Sequence, residues 1–307
     1  MQIGILERED FSPIAIEDLQ GVGEIGLFSG EDLDSFLVDK EVLFIRLKYF
    51  LDKSFFDKAK SLKYIATPTT GLNHIDLDEC SRRGIIIFSL KGEYQFLSTI
   101  RATPEHTFGL ILALLRNYKG AFLDQTNRAW NRELYKGYEL YNNRVGIIGL
   151  GRVGKILAQY FKVFGAEVYF YDIDNSIMES EGIQRVYSMD ELIDRSKIVI
   201  LSTSYSVDNH QFFDKKYIDL LQDRYFVNTA RGELIDEVYL MKKLEEDFFM
   251  GVALDVIQQE QTTPNLERLL SLTKSRNFIL TPHIAGATYS SMHRTEEFIV
   301  RKLLKHI

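Results

Sequence analysis

A single cysteine, Cys80, stands in 307 residues. One cysteine cannot close an internal disulfide or build a thiolate metal cluster. It precedes an apolar run and reads as structural, and no metal site is expected. Positive charge is also short, with 37 Lys and Arg against 44 Asp and Glu, for a net charge of −7. A chain with that balance lacks the basic surface that nucleic acid requires. An anionic ligand must therefore be met by local groups, not by the overall field. No apolar run approaches the length of a membrane span, and Met1-Gln-Ile-Gly-Ile-Leu-Glu lacks the basic-then-apolar order of a signal peptide. The expectation is a cytoplasmic protein without nucleic-acid or membrane partners. What is present suits a globular chain, and its length suggests two domains rather than one core.

The most informative stretch is Arg144-Val-Gly-Ile-Ile-Gly-Leu-Gly-Arg-Val-Gly-Lys155. An apolar run leads into Gly149-x-Gly151-x-x-Gly154 and then into a helical pattern, the order of strand, tight turn and helix N-terminus. Gly149 permits the turn, Gly151 lets a pyrophosphate approach the backbone, and Gly154 lets helix and strand pack closely. The helix start at Arg152 and Val153 would turn free N–H groups and a positive dipole end to the phosphates. A second apolar run ends at Asp172, where a carboxylate meets the adenosine ribose and, with Asp174 behind it, repels a 2′-phosphate. The cofactor expected is NAD.

Around this motif the chain alternates. Apolar runs at 3–6, 25–28, 42–47, 64–66 and 85–88 are separated by helix-like stretches at 14–20, 54–60 and 77–83. Runs at 198–202, 226–228, 249–254 and 278–280, with the two that flank the glycines, give about six strands in the second half. Strands alternating with helices imply parallel sheets covered on both faces. The pattern is α/β, with two doubly wound parallel sheets. Residues 90–100 read as a connection and 290–306 as a closing helix. Thr103 offers an N-cap, Pro104 a first helical residue and Glu105 a first-turn acid. The helix that follows through Phe108, Leu110, Ile111, Leu112, Leu114 and Leu115 is too apolar for a solvated one, and needs cover from its own domain or a partner subunit.

In such sheets ligands collect at the carboxyl ends of strands, and three reactive residues fall there. Arg231 follows a buried-looking strand and suits bidentate binding of a carboxylate or keto oxygen. His283, in Thr281-Pro-His-Ile-Ala-Gly286, can carry a proton near neutral pH. Glu260 lies five residues beyond Asp255, and a carboxylate beside histidine fixes its tautomer. Singly each has an ordinary explanation; together they read as a hydride-transfer site. His74, His106 and His293 show no acid partner at a meaningful spacing and read as structural or solvated. In the first half, Arg46 and Lys48 follow one strand, read either as a phosphate site or as surface charges. Thr69, Thr70 and Gly71 follow another, read either as a backbone anion site or as an ordinary loop.

Asn228-Thr-Ala-Arg-Gly, Ala253-Leu-Asp-Val followed by Glu260, Thr281-Pro-His-Ile-Ala-Gly-Ala-Thr288 and Gly71-Leu-Asn-His-Ile-Asp76 resemble the D-isomer-specific 2-hydroxyacid dehydrogenases over nearly the whole chain. Val168-Tyr-Phe-Tyr-Asp-Ile173 looks most like phosphoglycerate dehydrogenase, here without a regulatory domain, as the sequence stops at Ile307. The resemblance implies a Rossmann NAD domain at 102–284 inserted into a flavodoxin-like substrate domain at 1–101 and 285–307. It implies that Arg231 anchors the substrate, His283 is the acid/base and Glu260 its partner. Gly149, Gly151, Arg152, Val153, Gly154 and Asp172 would hold the adenosine and pyrophosphate. Thr203, Thr229, Ala230, Arg231, Asp255, His283 and Gly286 would lie along the nicotinamide half. Thr69, Thr70 and Gly71 would hold the substrate carboxylate, with Arg46 and Lys48 meeting a phosphate in a larger substrate. It further implies a small anionic 2-hydroxy or 2-keto acid as substrate and a homodimer through residues 102–140. The family usually carries proline near Leu201-Ser-Thr203, and residues 90–101 lack the phosphoglycerate dehydrogenase asparagine pattern. The competing reading is an NAD(H)-sensing, non-enzymatic regulator resembling the transcriptional corepressors built on this fold.

Overall fold

The computed structural model describes residues 1–123, 130–274 and 276–307. The chain divides into two compact units, Met1–Ile100 with Ala287–Ile307, and Arg101–Gly286. Arg101, Ala285 and Gly286 thus go with the inserted unit.

In the first unit five strands, β1 (Gln2–Ile5), β2 (Glu24–Leu27), β3 (Val42–Phe44), β4 (Tyr64–Ala66) and β5 (Ile86–Phe88), pair in parallel in the order β2-β1-β3-β4-β5. That is the flavodoxin-like order. β3 is buried throughout, as a central parallel strand covered on both faces should be. Helix starts are written locally: Ser12 Oγ accepts the Ala15 N–H ahead of Pro13, and Asp76 accepts the Glu79 N–H. The helix Tyr289–Leu304 returns to this unit and buries Ile299, Val300 and Leu303 among Ile3, Ile5, Val42 and Phe44. Two short helices, Leu33–Leu37 and Tyr94–Leu97, were not legible as such. The second lies inside the stretch 90–100 read as a connection, too short to show a period. Cys80 is buried, and burial pushes its thiol up to about 11.

The second unit carries seven strands among the described residues, in the order β12-β11-β10-β9-β6-β7-β8. They are β6 (Arg144–Ile148), β7 (Glu167–Tyr171), β8 (Ile183–Arg185), β9 (Ile198–Leu201), β10 (Tyr225–Asn228), β11 (Gly251–Leu254) and β12 (Phe278–Leu280), all parallel. Counted from β6, this is the 3-2-1-4-5-6 dinucleotide-binding order with one strand added. The expectation of six missed β8, a three-residue edge strand with one buried residue. Alternate residues feed two cores. Val145, Ile147, Ile198, Ile200, Val227 and Ala253 pack beneath Leu110, Ile111, Leu114 and Leu157. Ile148, Val199, Leu201, Phe226, Val252 and Leu254 pack against Leu192, Leu240 and Met241. The helix Ala102–Leu115 therefore spends its apolar surface largely inside its own unit. Its N-cap is Arg101 without a side-chain cap bond, so Thr103 and Pro104 lie within the first turn, each two positions further into the helix than expected. No helix among the described residues is long and apolar enough to cross a membrane.

Candidate active site

The glycine loop has the geometry its sequence requires. Gly149 sits at φ 92°, a conformation costly for side-chain-bearing residues, and its N–H bonds Tyr171 O at 2.8 Å. A Cβ on Gly154 would collide with the Gly149 carbonyl, whereas one on Gly151 would meet nothing within 4 Å. The first contact fixes helix to strand; the second leaves the N-terminus of the helix Arg152–Val163 open, a cradle that a side chain would fill. Val153 packs against the core beneath, and burial, with Arg101 nearby, lowers the Arg152 guanidinium from its ordinary range. At the end of β7, Asp172 Oδ2 accepts the Leu150 N–H of that loop at 2.7 Å, and Oδ1 accepts the Asp174 N–H at 2.9 Å. Arg185 binds the carbonyls of Asp172 and Ile177 at 2.7 and 2.6 Å and so braces the turn after Asp172. The residues present fit a dinucleotide.

At the carboxyl ends of β9, β10, β11 and β12 the remaining candidates gather. Thr203 follows β9 beside the Gly149 turn. Beyond β10 the buried Asn228 side chain accepts the Ala230 N–H at 2.9 Å and donates to Arg231 O at 2.8 Å, tying the arginine's loop to the strand. Thr229 Oγ1 lies 2.7 Å from Thr107 Oγ1. Arg231 is half-buried with Nη1 on Ala230 O at 2.6 Å. Burial lowers its guanidinium from the ordinary value while the charges of Glu260 and Glu233 oppose that; arginine keeps its proton regardless. His283 follows β12, and its Nδ1 stands 2.7 Å from Glu260 Oε2. Its backbone lies at φ 52°, uncommon outside glycine, and is held by the bond from its N–H to Asp255 O at 2.8 Å.

Asp255 organises that loop. It is almost fully buried and accepts the Thr281 hydroxyl at 2.5 Å, the Ile284 N–H at 2.9 Å and the Ala285 N–H at 2.8 Å. Burial alone would raise this carboxyl, but bonds from His106, Thr281, Ala285 and Ile284 carry it below its ordinary value. His106 Nε2 stands 3.4 Å from Asp255 and 3.2 Å from Thr281 Oγ1. The reading of His106 as lacking an acid partner is corrected: the partner is Asp255, which lies beyond the end of β11 and far along the chain from His106, outside what spacing reveals. His293 Nε2 bonds Asp10 O at 2.9 Å, and His74 is buried. Gly286 is exposed at the end of this loop.

In the first unit the Arg46 guanidinium is already committed. Nε and Nη2 bond Glu296 Oε1 at 2.9 and 2.5 Å, and Nη1 bonds Glu9 O at 3.0 Å. The phosphate-ligand reading of Arg46 thus competes with an ion pair to a fully buried carboxylate. Lys48 is exposed, its ammonium 5.6 Å from the Tyr49 ring centre. After β4, Thr69 Oγ1 bonds Thr67 Oγ1 and Gly71 O, both at 2.9 Å, and Thr70 is exposed.

A glycine-turned helix start with an acid at the next strand end, followed by arginine and a histidine–carboxylate couple at later strand ends, is the layout of a nicotinamide-dependent dehydrogenase. The comparisons narrow this. Residues 108–285 match the family model described as D-isomer specific 2-hydroxyacid dehydrogenase, NAD binding domain. A glyoxylate reductase of Thermofilum pendens is 32% identical over 283 residues, 90% of this chain and 81% of that protein. A D-3-phosphoglycerate dehydrogenase of Methanocaldococcus jannaschii is 32% identical over 311 residues, but the chain spans only 57% of it. The solved D-lactate dehydrogenase of Aquifex aeolicus, complexed with NAD and lactic acid, superposes with a TM-score of 0.84 at 27% identity, covering 100% of this chain and 95% of that one. The chain belongs to the D-isomer specific 2-hydroxyacid dehydrogenase family. It is an NAD-dependent oxidoreductase of hydroxy and keto acids, and nothing in these relatives supports the non-enzymatic regulator.

Proposed function

We propose that the protein interconverts a small, unphosphorylated 2-keto acid and its D-2-hydroxy acid. The observation that carries this reading is the 2.7 Å contact between His283 Nδ1 and Glu260 Oε2. A carboxylate on Nδ1 fixes the ring's tautomer and orientation and leaves Nε2 to exchange a proton with the substrate oxygen. Arg231 holds the substrate carboxylate and polarises the keto group, and the oxyanion that develops is balanced by Arg231 and His283. Bound NADH supplies the hydride. Gly149, Gly151, Gly154, Arg152 and Asp172 bind and orient it, and Thr203, Thr229, Ala230, Asp255 and Gly286 border its nicotinamide end.

For the substrate, the resemblance in Val168-Tyr-Phe-Tyr-Asp-Ile173 points to a phosphorylated acid, but Arg46 is spent on Glu296. A lone exposed Lys48 is a weak phosphate site, which favours substrates of the glyoxylate or pyruvate type. A homodimer through residues 102–140 is supported by exposed Tyr118, Phe122, Leu123, Trp130 and Leu134, apolar area that a monomer would leave in water; positions 124–129 in that span lie outside the described residues.

The test is NADH oxidation by the purified protein against glyoxylate, pyruvate, hydroxypyruvate and phosphohydroxypyruvate. Turnover is expected with the unphosphorylated acids. A strong preference for the phosphorylated one would overturn the substrate assignment, and no turnover of any acid would overturn the enzymatic reading of the site.

A further inference from the structure

Glu260 sits in a loop of turns, residues 257–265, without a helix or strand to fix it. Gln259 and Thr263 in it adopt φ 52° and 45°, conformations that side-chain-bearing residues resist. Both sides of this loop are tied to one group. Glu237 Oε2 accepts the Gln258 N–H at 2.8 Å, and Glu237 Oε1 accepts Asn265 Nδ2 at 2.8 Å. Glu237 is fully buried and opens the helix Glu237–Glu245, where the helix dipole favours negative charge. Gln258 Nε2 returns a bond to Ile235 O at 2.7 Å. Gly232, next to Arg231, lies so close that a Cβ there would overlap the Ile257 carbonyl and the Gln258 nitrogen.

We infer that Glu237 is a positioning residue for the reaction: its two carboxylate oxygens clamp both sides of the Glu260 loop and so set Glu260 against His283. This rests on the reading of Glu260 as the partner that orients His283. Glu237 has no role in the proton or hydride chemistry itself. It acts through Gln258 and Asn265, two residues before Glu260 and five after it. A buried carboxylate at this point is expensive to maintain, and burial raises its titration above the ordinary carboxyl range. The two donors it receives answer that cost. Replacement by glutamine keeps the shape but turns one acceptor into a donor facing a donor, which releases one side of the loop.

The experiment compares Glu237→Gln, Glu260→Gln and the double variant for kcat, its pH profile in the direction of keto-acid reduction, and NADH affinity by fluorescence. Misplacement of a reacting group by an ångström costs up to about a hundredfold. Glu237→Gln is expected to lower kcat by roughly tenfold or more, to leave NADH affinity within about twofold, and to move the pH profile in the same direction as Glu260→Gln. In the Glu260→Gln background it should add nothing. Multiplying effects in the double variant, or an unmoved pH profile in Glu237→Gln, overturn the inference while the roles of Glu260 and His283 stand. An unchanged Glu260→Gln overturns those roles and the inference with them. If Glu237→Gln does not fold, Asn265→Ala, which frees one side only, decides: its pH profile moves the same way, or the inference falls.

Discussion

Glu260 and His283 meet through Oε2 and Nδ1 at 2.7 Å although they lie on separate loops, one after β11 and the other after β12. The contact assigns the two ring nitrogens different work. On the proposed reading Nδ1 is held, and Nε2 is left to deliver the proton. His283→Gln keeps a polar side chain but cannot cycle a proton, so kcat should fall by about 10²–10⁴-fold with NADH binding retained. In Glu260→Gln the ring loses the carboxylate that fixes its tautomer, so kcat should fall with NADH binding retained. Steady-state rates from acidic to alkaline pH check both, and equal activity in the His283 variant would sink its acid/base role.

Arg46 and Glu296 make a buried ion pair in the first unit, the guanidinium bonded at 2.9 and 2.5 Å. Burial raises the Glu296 carboxyl above its ordinary value, with Arg46 and the Ser12 N–H opposing. A carboxyl whose folded-state value lies above its unfolded one weakens folding as pH rises through that window. Removing Arg46 widens the window. Arg46→Met should therefore cost about 3–5 kcal/mol near neutral pH, and less in mild acid where Glu296 takes a proton. Chemical denaturation at several pH values measures this. The preference between phosphorylated and unphosphorylated keto acids should not change; a selective loss on the phosphorylated one would return Arg46 to the substrate.

The sequence made the scaffold legible where patterns are local. The glycine spacing, the apolar runs and the residue at each strand end could be read directly, because a parallel strand buried on both faces leaves a continuous apolar run. β8 escaped, since three residues with one buried side chain carry no such signal. Long-range pairings escaped too. Arg46 reads as a free cation until the returning helix brings Glu296 to it, and His106 as structural or solvated, without an acid partner, until Asp255 and Thr281 come beside it. Glu237 lies in plain view in the Arg231 segment, yet only the folded loop reveals what its carboxylate holds.

Asp255 holds the His283 loop by accepting Thr281, Ile284 and Ala285. Asp255→Asn presents an amide donor to a set of donors. Each buried group left unsatisfied costs about 1–3 kcal/mol, so a clear fall in melting temperature is expected, along with lost turnover. The pH dependence has a definite sign. Despite burial, hydrogen bonds from His106, Thr281 and the two N–H groups lower the Asp255 carboxyl from its ordinary 3.8. Its contribution is therefore complete above that pH, and is lost as pH falls towards the lower folded value. The stability gap between wild type and Asp255→Asn should hold constant from neutral pH down to that point and shrink below it. A gap that closes well above it would mean the carboxylate is not held as its bonds imply.

Asp172 joins the glycine loop to the cofactor preference. Its Oδ2 receives the Leu150 N–H at 2.7 Å and its Oδ1 the Asp174 N–H at 2.9 Å, while Arg185 grips its carbonyl at 2.7 Å. A carboxylate fixed at that strand end accepts from ribose hydroxyls and repels a 2′-phosphate. Asp172→Ser removes the charge and the acceptor of the Leu150 N–H together. Its effect should split: kcat/KM with NADH falls, because the ribose partner and a brace of the turn are lost, and NADPH is rejected less. A relative gain for NADPH of about tenfold corresponds to ~1.4 kcal/mol of relieved repulsion. Asp174→Asn should shift the ratio less, since Asp174 is exposed and bonded to Ser176 at 2.6 and 2.9 Å. Paired titrations with both nucleotides decide it. An unaltered ratio in Asp172→Ser would place cofactor selection in another residue and leave Asp172 as a brace for the glycine turn.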